Sequence, residues 1–360
     1  MIGIVCKIHS DFYYVIPNEN KGTAANCVEC KLREILKKQK NKVVVGDYVE
    51  FELQGTKEFQ SNNNLQGAIV KILKRKNFIP RPGVANLDLM IVVSSIFEPD
   101  LDFVQLNRYL TFLKYYNIDV LLCFNKDDLT NKDELDEIKA NISKIYKPLG
   151  YKIVFTSALN KDGLNTLKRY IKGKTIALTG QSGVGKSSLL NALNPELNLK
   201  TKSISDKLKR GTHTTRHSEI IEFNDFRIID TPGFSRLIFD FILPKDLGNY
   251  FSEIKSLKDG CKYRDCLHLI DVSKECNVIK NLDKIDISRY ESYVEFLEEA
   301  KLYKTKVTFE GIKQESASKT NNNKEFAKIS TKKRAHSRKK LKQGTKNLLL
   351  ENHGTDDLEI

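Results

Sequence analysis

A glycine-rich run lies between an apolar, strand-like segment and a helix-like segment. Such a run lets backbone N–H groups converge on phosphate oxygens at a helix N-terminus. Its lysine would neutralise the β- and γ-phosphates, and the serine after it would bind magnesium. We therefore predict a nucleoside triphosphate site formed by Thr179, Gly180, Gln181, Ser182, Gly183, Val184, Gly185, Lys186, Ser187 and Ser188.

A second acidic motif follows the apolar segment 226–229 and begins with Asp230. Its carboxylate would join the magnesium shell, and the Gly233 N–H would contact the γ-phosphate. In the segment between the two motifs, Thr214 or Thr215 would complete the coordination of magnesium; the spacing favours neither, and Thr214 is assigned the role. The predicted catalytic set is Lys186, His213, Thr214, Thr215 and Gly233.

The position after Gly233 is Phe234, which cannot orient an attacking water as the glutamine of ordinary small GTPases does. Slow turnover of the isolated protein is therefore expected. His213 is the internal candidate for positioning water or acting as a base, and a solvent-facing or RNA-contacting histidine is the alternative.

A third set of residues would select the base. The segment Asn125-Lys126-Asp127-Asp128 ends an apolar strand, and the Asp128 carboxylate can accept two N–H donors that guanine presents and adenine does not. Backbone groups of Ser157, Ala158 and Leu159 would contact the guanine carbonyl. Together these motifs predict a site for GTP or GDP with magnesium.

The order of the motifs is unusual, because the base motifs at 125 and 157 precede the phosphate loop at 180. An ordinary GTPase has the reverse order. Cyclic reordering preserves the site if the old termini are joined near 161–173 and the chain is opened after Gly233. The sequence therefore predicts a circularly permuted GTPase whose second switch leads directly into the C-terminal module.

A cluster of soft ligands follows the second switch. Its spacing, Cys-x₄-Cys-x-His-x₇-Cys, is irregular beside common zinc fingers but supplies the four ligands of a closed, structural zinc site. The predicted ligands are Cys261, Cys266, His268 and Cys276. Cys27 and Cys30 have the spacing of half a zinc site, but no second pair accompanies them, so we predict that they are buried or edge thiols of the barrel. Cys6 and Cys123 are expected in the core.

The elements that position these motifs divide the chain into parts. Short β-rich runs, including 12–16, 43–45 and 48–51, predict a small antiparallel barrel of the OB type. Strand-like and helix-like segments then alternate, which predicts a mostly parallel sheet with helices on both faces. The fold class is thus multidomain α/β, with a barrel at 1–75, a basic linker at 76–82, a GTPase domain at 83–242, a helical zinc module at 243–306 and a basic, disordered tail at 307–360.

Composition limits the partners. Across 360 residues, 60 Lys and Arg oppose 46 Asp and Glu, and the net charge of +14 indicates a polyanionic partner. We expect no membrane span, since no apolar run approaches about 18 residues. With no signal peptide and seven cysteines, the expected compartment is the cytoplasm.

The chain closely resembles the RsgA (YjeQ) family of small-subunit-dependent ribosomal GTPases. The resemblance rests on the permuted motif order and on three segments, 45–49, 81–88 and 259–268, together with Gly211-Thr212-His213-Thr214-Thr215. It implies an OB barrel, a permuted GTPase, a zinc module and a role in late maturation of the small ribosomal subunit, with that subunit and its rRNA as partners and a monomeric protein. GTP hydrolysis would time the step and the release of the protein.

Two alternatives stay open. One is an rRNA-binding module in which GTP is bound without turnover. The other is a permuted GTPase of large-subunit assembly, against which the barrel and the Cys/His cluster argue. The basic tail after Lys306 is outside the family pattern.

Overall fold

The computed structural model describes most of the chain. The described residues are 1–18, 27–37, 42–54, 65–194, 218–223, 225–230, 237, 239, 241–270, 275–310, 318–321 and 324–327.

The N-terminal part is a five-stranded, OB-like barrel. Its strands run in the order β1-β2-β3-β5-β4, and pairing of β4 with β1 closes it. Alternate side chains point inward and form a buried core with Val5, Val15, Val28, Phe51 and Ile69. The elements are β1 (Ile2–His9), β2 (Phe12–Pro17), β3 (Val28–Leu32), a one-turn helix α1 (Glu34–Lys37), β4 (Tyr48–Gln54) and β5 (Gln66–Ile72).

One predicted β run is not a strand. In 43–45 only Val45 forms an isolated bridge, with Val84. The Val44 N–H donates instead to the Asp47 carboxylate at 2.8 Å, and the Asp47 N–H donates to the Val44 carbonyl at 3.2 Å. A turn therefore satisfies the backbone groups that a neighbouring strand would otherwise take.

Asp47 also fixes the connector to the GTPase domain. Its fully buried carboxylate accepts from Arg75 Nε at 2.7 Å and from Nη2 at 2.8 Å. Arg75 also lies over the Phe78 ring, 4.4 Å from its centre. A short hairpin of β6 (Phe78–Pro80) and β7 (Gly83–Ala85) follows.

The central sheet carries the nucleotide motifs. Its strands run in the order β10-β9-β8-β11-β13-β12; the first five are parallel and β12 is antiparallel to β13. The elements are β8 (Leu89–Ser95), α2 (Phe103–Tyr115), β9 (Val120–Asn125), α3 (Lys132–Tyr146), β10 (Lys152–Thr156), α4 (Leu164–Ile171), β11 (Thr175–Thr179), α5 (Lys186–Leu193), β12 (Glu219–Glu222) and β13 (Arg227–Asp230).

Alternation along the strands divides the core into two layers. Met90 and Val92 of β8 face α2 and α3, whereas Leu89, Ile91 and Val93 face α4 and α5. The helical spacing predicted for α2 is confirmed, since Leu106, Leu110 and Leu113 are all buried. Coverage of both faces leaves the carboxyl edge of the parallel strands as the place for a ligand.

The C-terminal part is helical. Four helices, α6 (Pro244–Leu247), α7 (Ser252–Leu257), α8 (Asn277–Lys280) and α9 (Ile287–Glu310), surround a core that includes Phe239, Phe251, Tyr293 and Phe296. Helix α9 continues past the expected boundary at Lys306.

Part of the expected disordered tail has secondary structure, a small hairpin of β14 (Ser318–Asn321) and β15 (Lys324–Ala327). The rest of the tail lies outside the described residues. Among the described helices, none combines the length and hydrophobicity needed to span a bilayer.

Candidate functional site

The phosphate loop connects β11 to α5, as predicted. Its three glycines adopt positive φ, +144° at Gly180, +87° at Gly183 and +90° at Gly185. A Cβ at Gly180 would lie 2.0 Å from the Val93 carbonyl oxygen, and one at Gly185 would lie 2.3 Å from Asn125 Nδ2. Both the backbone conformation and the space therefore require glycine at these two positions.

Lys186 begins α5 and turns back over the loop. Its ammonium donates to the carbonyl oxygens of Gly180 at 2.8 Å and Gln181 at 2.6 Å. Burial lowers the pKa of Lys186, which indicates a partly desolvated position where its charge acts strongly on an anion.

Asn125 joins three of the predicted motifs. Its Nδ2 donates to the Val184 carbonyl in the phosphate loop at 2.9 Å. Its Oδ1 accepts from Thr156 Oγ1 and from the Ala158 N–H, both at 3.2 Å. With 1% of its surface exposed, Asn125 holds the base motifs and the phosphate loop in one arrangement.

The rest of the base motif lies around Asn125. Lys126 has a positive φ of +65° and its ammonium donates to the Glu98 carbonyl. The Asp127 carboxylate accepts from Lys139 at 3.3 Å. Asp128 is half-buried and directly follows Asp127.

The second base loop follows β10, and its predicted backbone contacts to the guanine carbonyl stay a prediction. Ser157 is buried and its hydroxyl accepts from the Asn160 N–H at 2.9 Å. The Ala158 N–H is already used by Asn125, and the Leu159 side chain is 79% exposed. Of these three residues, Leu159 thus offers an apolar surface at the rim.

Asp230 ends β13 on the same edge. The register pairs Ile176 with Ile228, so Asp230 lies level with Leu178, just before the phosphate loop. Glu219 faces Asp230 across β12 and β13. Burial, and then the Glu219 charge, raise the pKa of Asp230 to about 6. Glu219 already pairs with Lys7 at 3.3 Å. A cation bound at Asp230 would favour its ionised form and so oppose this rise.

Several predicted residues lie outside the described ranges, so their positions are not part of this geometry. They are His213, Thr214, Thr215, Gly233 and Phe234.

The four predicted zinc ligands are brought together. All ligand atoms of Cys261, Cys266, His268 and Cys276 lie within 4.8 Å of one another. His268 Nδ1 is 3.6 Å from Cys261 Sγ and 3.5 Å from Cys276 Sγ, and the latter two sulfurs are 3.7 Å apart. A tetrahedral zinc ion with bonds of about 2.0 to 2.3 Å separates its ligand atoms by roughly 3.5 to 3.8 Å. The donor set of four residues therefore fits zinc, and so do the three separations among Cys261, His268 and Cys276.

Helix α9 holds the ligand loop in place. The Tyr290 hydroxyl donates to the His268 carbonyl and the Tyr293 hydroxyl to the Leu267 carbonyl, both at 2.9 Å. Burial, followed by the charge of Lys258, lowers the pKa of His268 and so favours the neutral, metal-binding form. Burial raises the pKa of Cys276 to about 11, a penalty that a bound cation would offset.

We expect protein purified without added zinc to contain about one zinc per chain, and Cys276→Ser to lose most of it. Since metal binding to such a site is coupled to folding, the variant should also unfold its C-terminal module at a lower temperature than the GTPase core. Metal analysis with thermal melting measures both effects. Cys27→Ser, which removes a thiol outside the cluster, is the control. A stoichiometry near zero with freely titrating thiols in the unmodified protein would contradict the assignment.

A polar interface between α2 and α9 was not predicted from the sequence. Asn107 Nδ2 donates to Ser292 Oγ at 2.9 Å, and Asn107 Oδ1 accepts from Arg289 Nη1 at 2.9 Å. Arg108 pairs with Glu295 at 2.9 Å and Glu299 at 2.7 Å. The sequence does place Asn107 and Arg108 among the regularly spaced apolar residues of α2, which could have indicated polar partners. Those partners could not be identified, because they lie about 180 positions away in the chain.

Two models of protein families match most of the barrel and the central domain. The RsgA N-terminal domain matches residues 2–59, and the RsgA GTPase matches residues 72–240. A model of the KAP family P-loop domain also matches residues 161–341, a range that contains the phosphate loop.

Curated relatives match nearly their whole length. The small ribosomal subunit biogenesis GTPase RsgA of Bacillus pumilus is 38% identical over 299 residues, 83% of this chain and 97% of the relative. The protein of the same description from Agathobacter rectalis is 36% identical over 309 residues, 84% of this chain and 98% of the relative.

Solved structures show the same architecture. The crystal structure of YjeQ from Thermotoga maritima has a TM-score of 0.69 at 34% identity, covering 83% of this chain and 98% of that one. The structure of YloQ, described as a circularly permuted GTPase, has a TM-score of 0.67 at 31% identity, covering 83% and 94%.

Proposed function

Because the chain belongs to the RsgA family of circularly permuted GTPases, we propose that it hydrolyses GTP on the small ribosomal subunit and thereby times a late step of subunit maturation and its own release. The observation that supports the nucleotide site most strongly is the Asn125 side chain, which ties the base motifs to the phosphate loop through three hydrogen bonds.

Each part of the site has a proposed task. Asp128 accepts from the guanine base, and residues 179–188 surround the phosphates, with Lys186 neutralising the transferred group. Ser187, Asp230 and Thr214 hold magnesium, which would polarise the γ-phosphate when bound. The Gly233 N–H contacts that phosphate, and His213 positions the attacking water.

The zinc module and the barrel are proposed to contact ribosomal RNA. Zinc, held by Cys261, Cys266, His268 and Cys276, is structural, since four protein ligands leave no open position. Basic side chains of the barrel would contact RNA phosphates, but two of them form ion pairs within the protein, Lys71 with Glu50 and Arg75 with Asp47. The net charge of +14 nevertheless supports a polyanionic partner. We propose a monomer that acts in the cytoplasm.

Phosphate release in the presence of isolated subunits tests this function. Because Phe234 replaces the usual water-orienting glutamine, we expect slow hydrolysis alone and stimulation by at least about tenfold with small subunits, since one transition-state group can contribute roughly 10² to 10³ in rate. Equal stimulation by large subunits would favour large-subunit assembly. Stimulation by neither, with GTP still bound, would favour an rRNA-binding module without turnover.

A further inference from the structure

The phosphate loop is attached to the N-terminus of α2. Asp102 caps this helix, since its Oδ1 accepts from the Gln105 N–H at 2.9 Å. Its other oxygen accepts from Gln181 Nε2 in the phosphate loop at 3.1 Å. One carboxylate thus links the first turn of α2 to a loop residue far away in the sequence.

Gln181 is also restrained from its other side. The Lys186 ammonium donates to the Gln181 carbonyl at 2.6 Å. Two of the three donors of this ammonium are used by the Gly180 and Gln181 carbonyls, and a phosphate in the loop would take the third and, as an anion, attract the ammonium more strongly than a neutral carbonyl does. Phosphate binding therefore changes how strongly Lys186 holds the Gln181 carbonyl, and the side chain of the same Gln181 is bound by Asp102.

A second polar contact joins α2 to the phosphate-loop strand. The Tyr109 hydroxyl of α2 and the Thr179 hydroxyl at the end of β11 are both buried. Burial raises the pKa of Tyr109, and the neighbouring Gln105 and Thr179 side chains oppose that rise. The Tyr109 and Thr179 hydroxyls therefore lie beside each other without a well-formed hydrogen bond, so a small shift of α2 would change this contact.

About one and a half turns after Asp102, the same helix binds α9. Asn107 contacts Ser292 and Arg289, and Arg108 contacts Glu295 and Glu299. Arg108 also donates to the Leu237 carbonyl at 3.2 Å, and Glu299 accepts from the Phe239 N–H at 3.1 Å.

Arg289 is 1% exposed and pairs with Glu253 at 2.7 Å. The interface is polar, and its centre at Asn107, Arg289 and Ser292 is buried. Its hydrogen bonds therefore fix one specific arrangement of the two helices.

From these contacts we infer that α2 couples the phosphate loop to the C-terminal helix α9, with Asp102 as a positioning residue that transmits the state of Gln181. The inference rests on the proposed function in one respect, the assignment of the loop to a nucleotide. It adds a route between the nucleotide and the zinc module that does not pass through the second switch.

The test is a double-mutant cycle on nucleotide preference in the full-length chain. Asp102→Ser keeps a helix-capping hydroxyl but is too short to reach Gln181. Ser292→Ala removes one acceptor of Asn107, which retains the Ser288 carbonyl at 3.3 Å. The readout is the ratio of dissociation constants for GDP and a non-hydrolysable GTP analogue, each with magnesium.

We expect each variant to change this ratio by about threefold or more, and the double variant to match a single one, because both changes interrupt the same route. Ser292→Ala changes nucleotide preference if the contact between α2 and α9 differs in energy between the two nucleotide states. Asp102→Asn, whose amide can still pair with a rotated Gln181 amide, should keep the ratio of the unmodified protein. Asp100→Ser, an exposed aspartate two positions earlier, is the matched control.

Additive effects in the cycle, or no effect of Ser292→Ala in a variant with an unchanged melting temperature, would overturn the inference. Failure of the unmodified chain to bind either nucleotide would instead reject the proposed nucleotide site. Since no ribosomal subunit is present, a wrong assignment of the ribosomal partner leaves the result unaffected.

Discussion

Lys186→Ala should abolish GTP hydrolysis, lowering the rate by roughly 10² to 10³ or more both alone and with small subunits. The Lys186 ammonium is held over the phosphate loop by the Gly180 and Gln181 carbonyls, and burial lowers its pKa. Its removal takes away the positive charge that would meet the charge developing on the transferred phosphate. Steady-state phosphate release measures the effect.

The control for this change is Lys144→Ala, which removes an exposed lysine from α3. Its rate should match that of the unmodified protein. Retained zinc and an unchanged melting temperature in Lys186→Ala would show that the fold is intact. Hydrolysis by Lys186→Ala at the unmodified rate would contradict the placement of the phosphate site.

Asp128→Asn should replace the preference for GTP with a preference for xanthosine triphosphate. The carboxylate oxygens accept the two N–H donors of guanine, and an amide offers one acceptor and one donor instead. Xanthine carries a carbonyl where guanine has its amino group, so it complements the amide. A site that leaves buried polar groups unpaired discriminates by roughly 10⁴, and we expect a change in relative kcat/KM of about that size.

Competition assays with both nucleotides measure this preference. Asp136→Asn makes the same charge change on the exposed surface of α3 and should leave it unaltered. If Asp128→Asn still prefers GTP as the unmodified protein does, the base lies elsewhere.

The sequence predicted the parts of the site that depend on local chain geometry. Gly180 and Gly185 marked the phosphate loop, and Asn125 followed an apolar strand; the structure brings the three together. Parallel strands end at a common edge, so motifs that follow strands meet there. The Cys/His array was recognisable because its ligands are close in sequence.

What the sequence could not reveal depends on packing between distant segments. The Asp102 contact with Gln181 and the Arg108 contacts with α9 require the relative placement of elements from different parts of the chain. The run 43–45 looked like a strand because β-branched residues favour strands, but Asp47 satisfies the backbone there instead. The predicted switch residues, His213 among them, stay predictions, and so do their roles.

We propose that the bound nucleotide sets the affinity of this protein for the small ribosomal subunit. A ligand shifts an equilibrium only through differential binding, so hydrolysis can time release only if the GTP and GDP forms differ. The direct measurement is the dissociation constant for isolated small subunits, at one fixed salt concentration, with a non-hydrolysable GTP analogue and with GDP. We predict tighter binding of the GTP form by roughly 5- to 150-fold, a coupling of about 1 to 3 kcal/mol. Equal dissociation constants in the two nucleotide states would contradict the claim and leave a GTPase whose attachment to RNA is independent of the nucleotide.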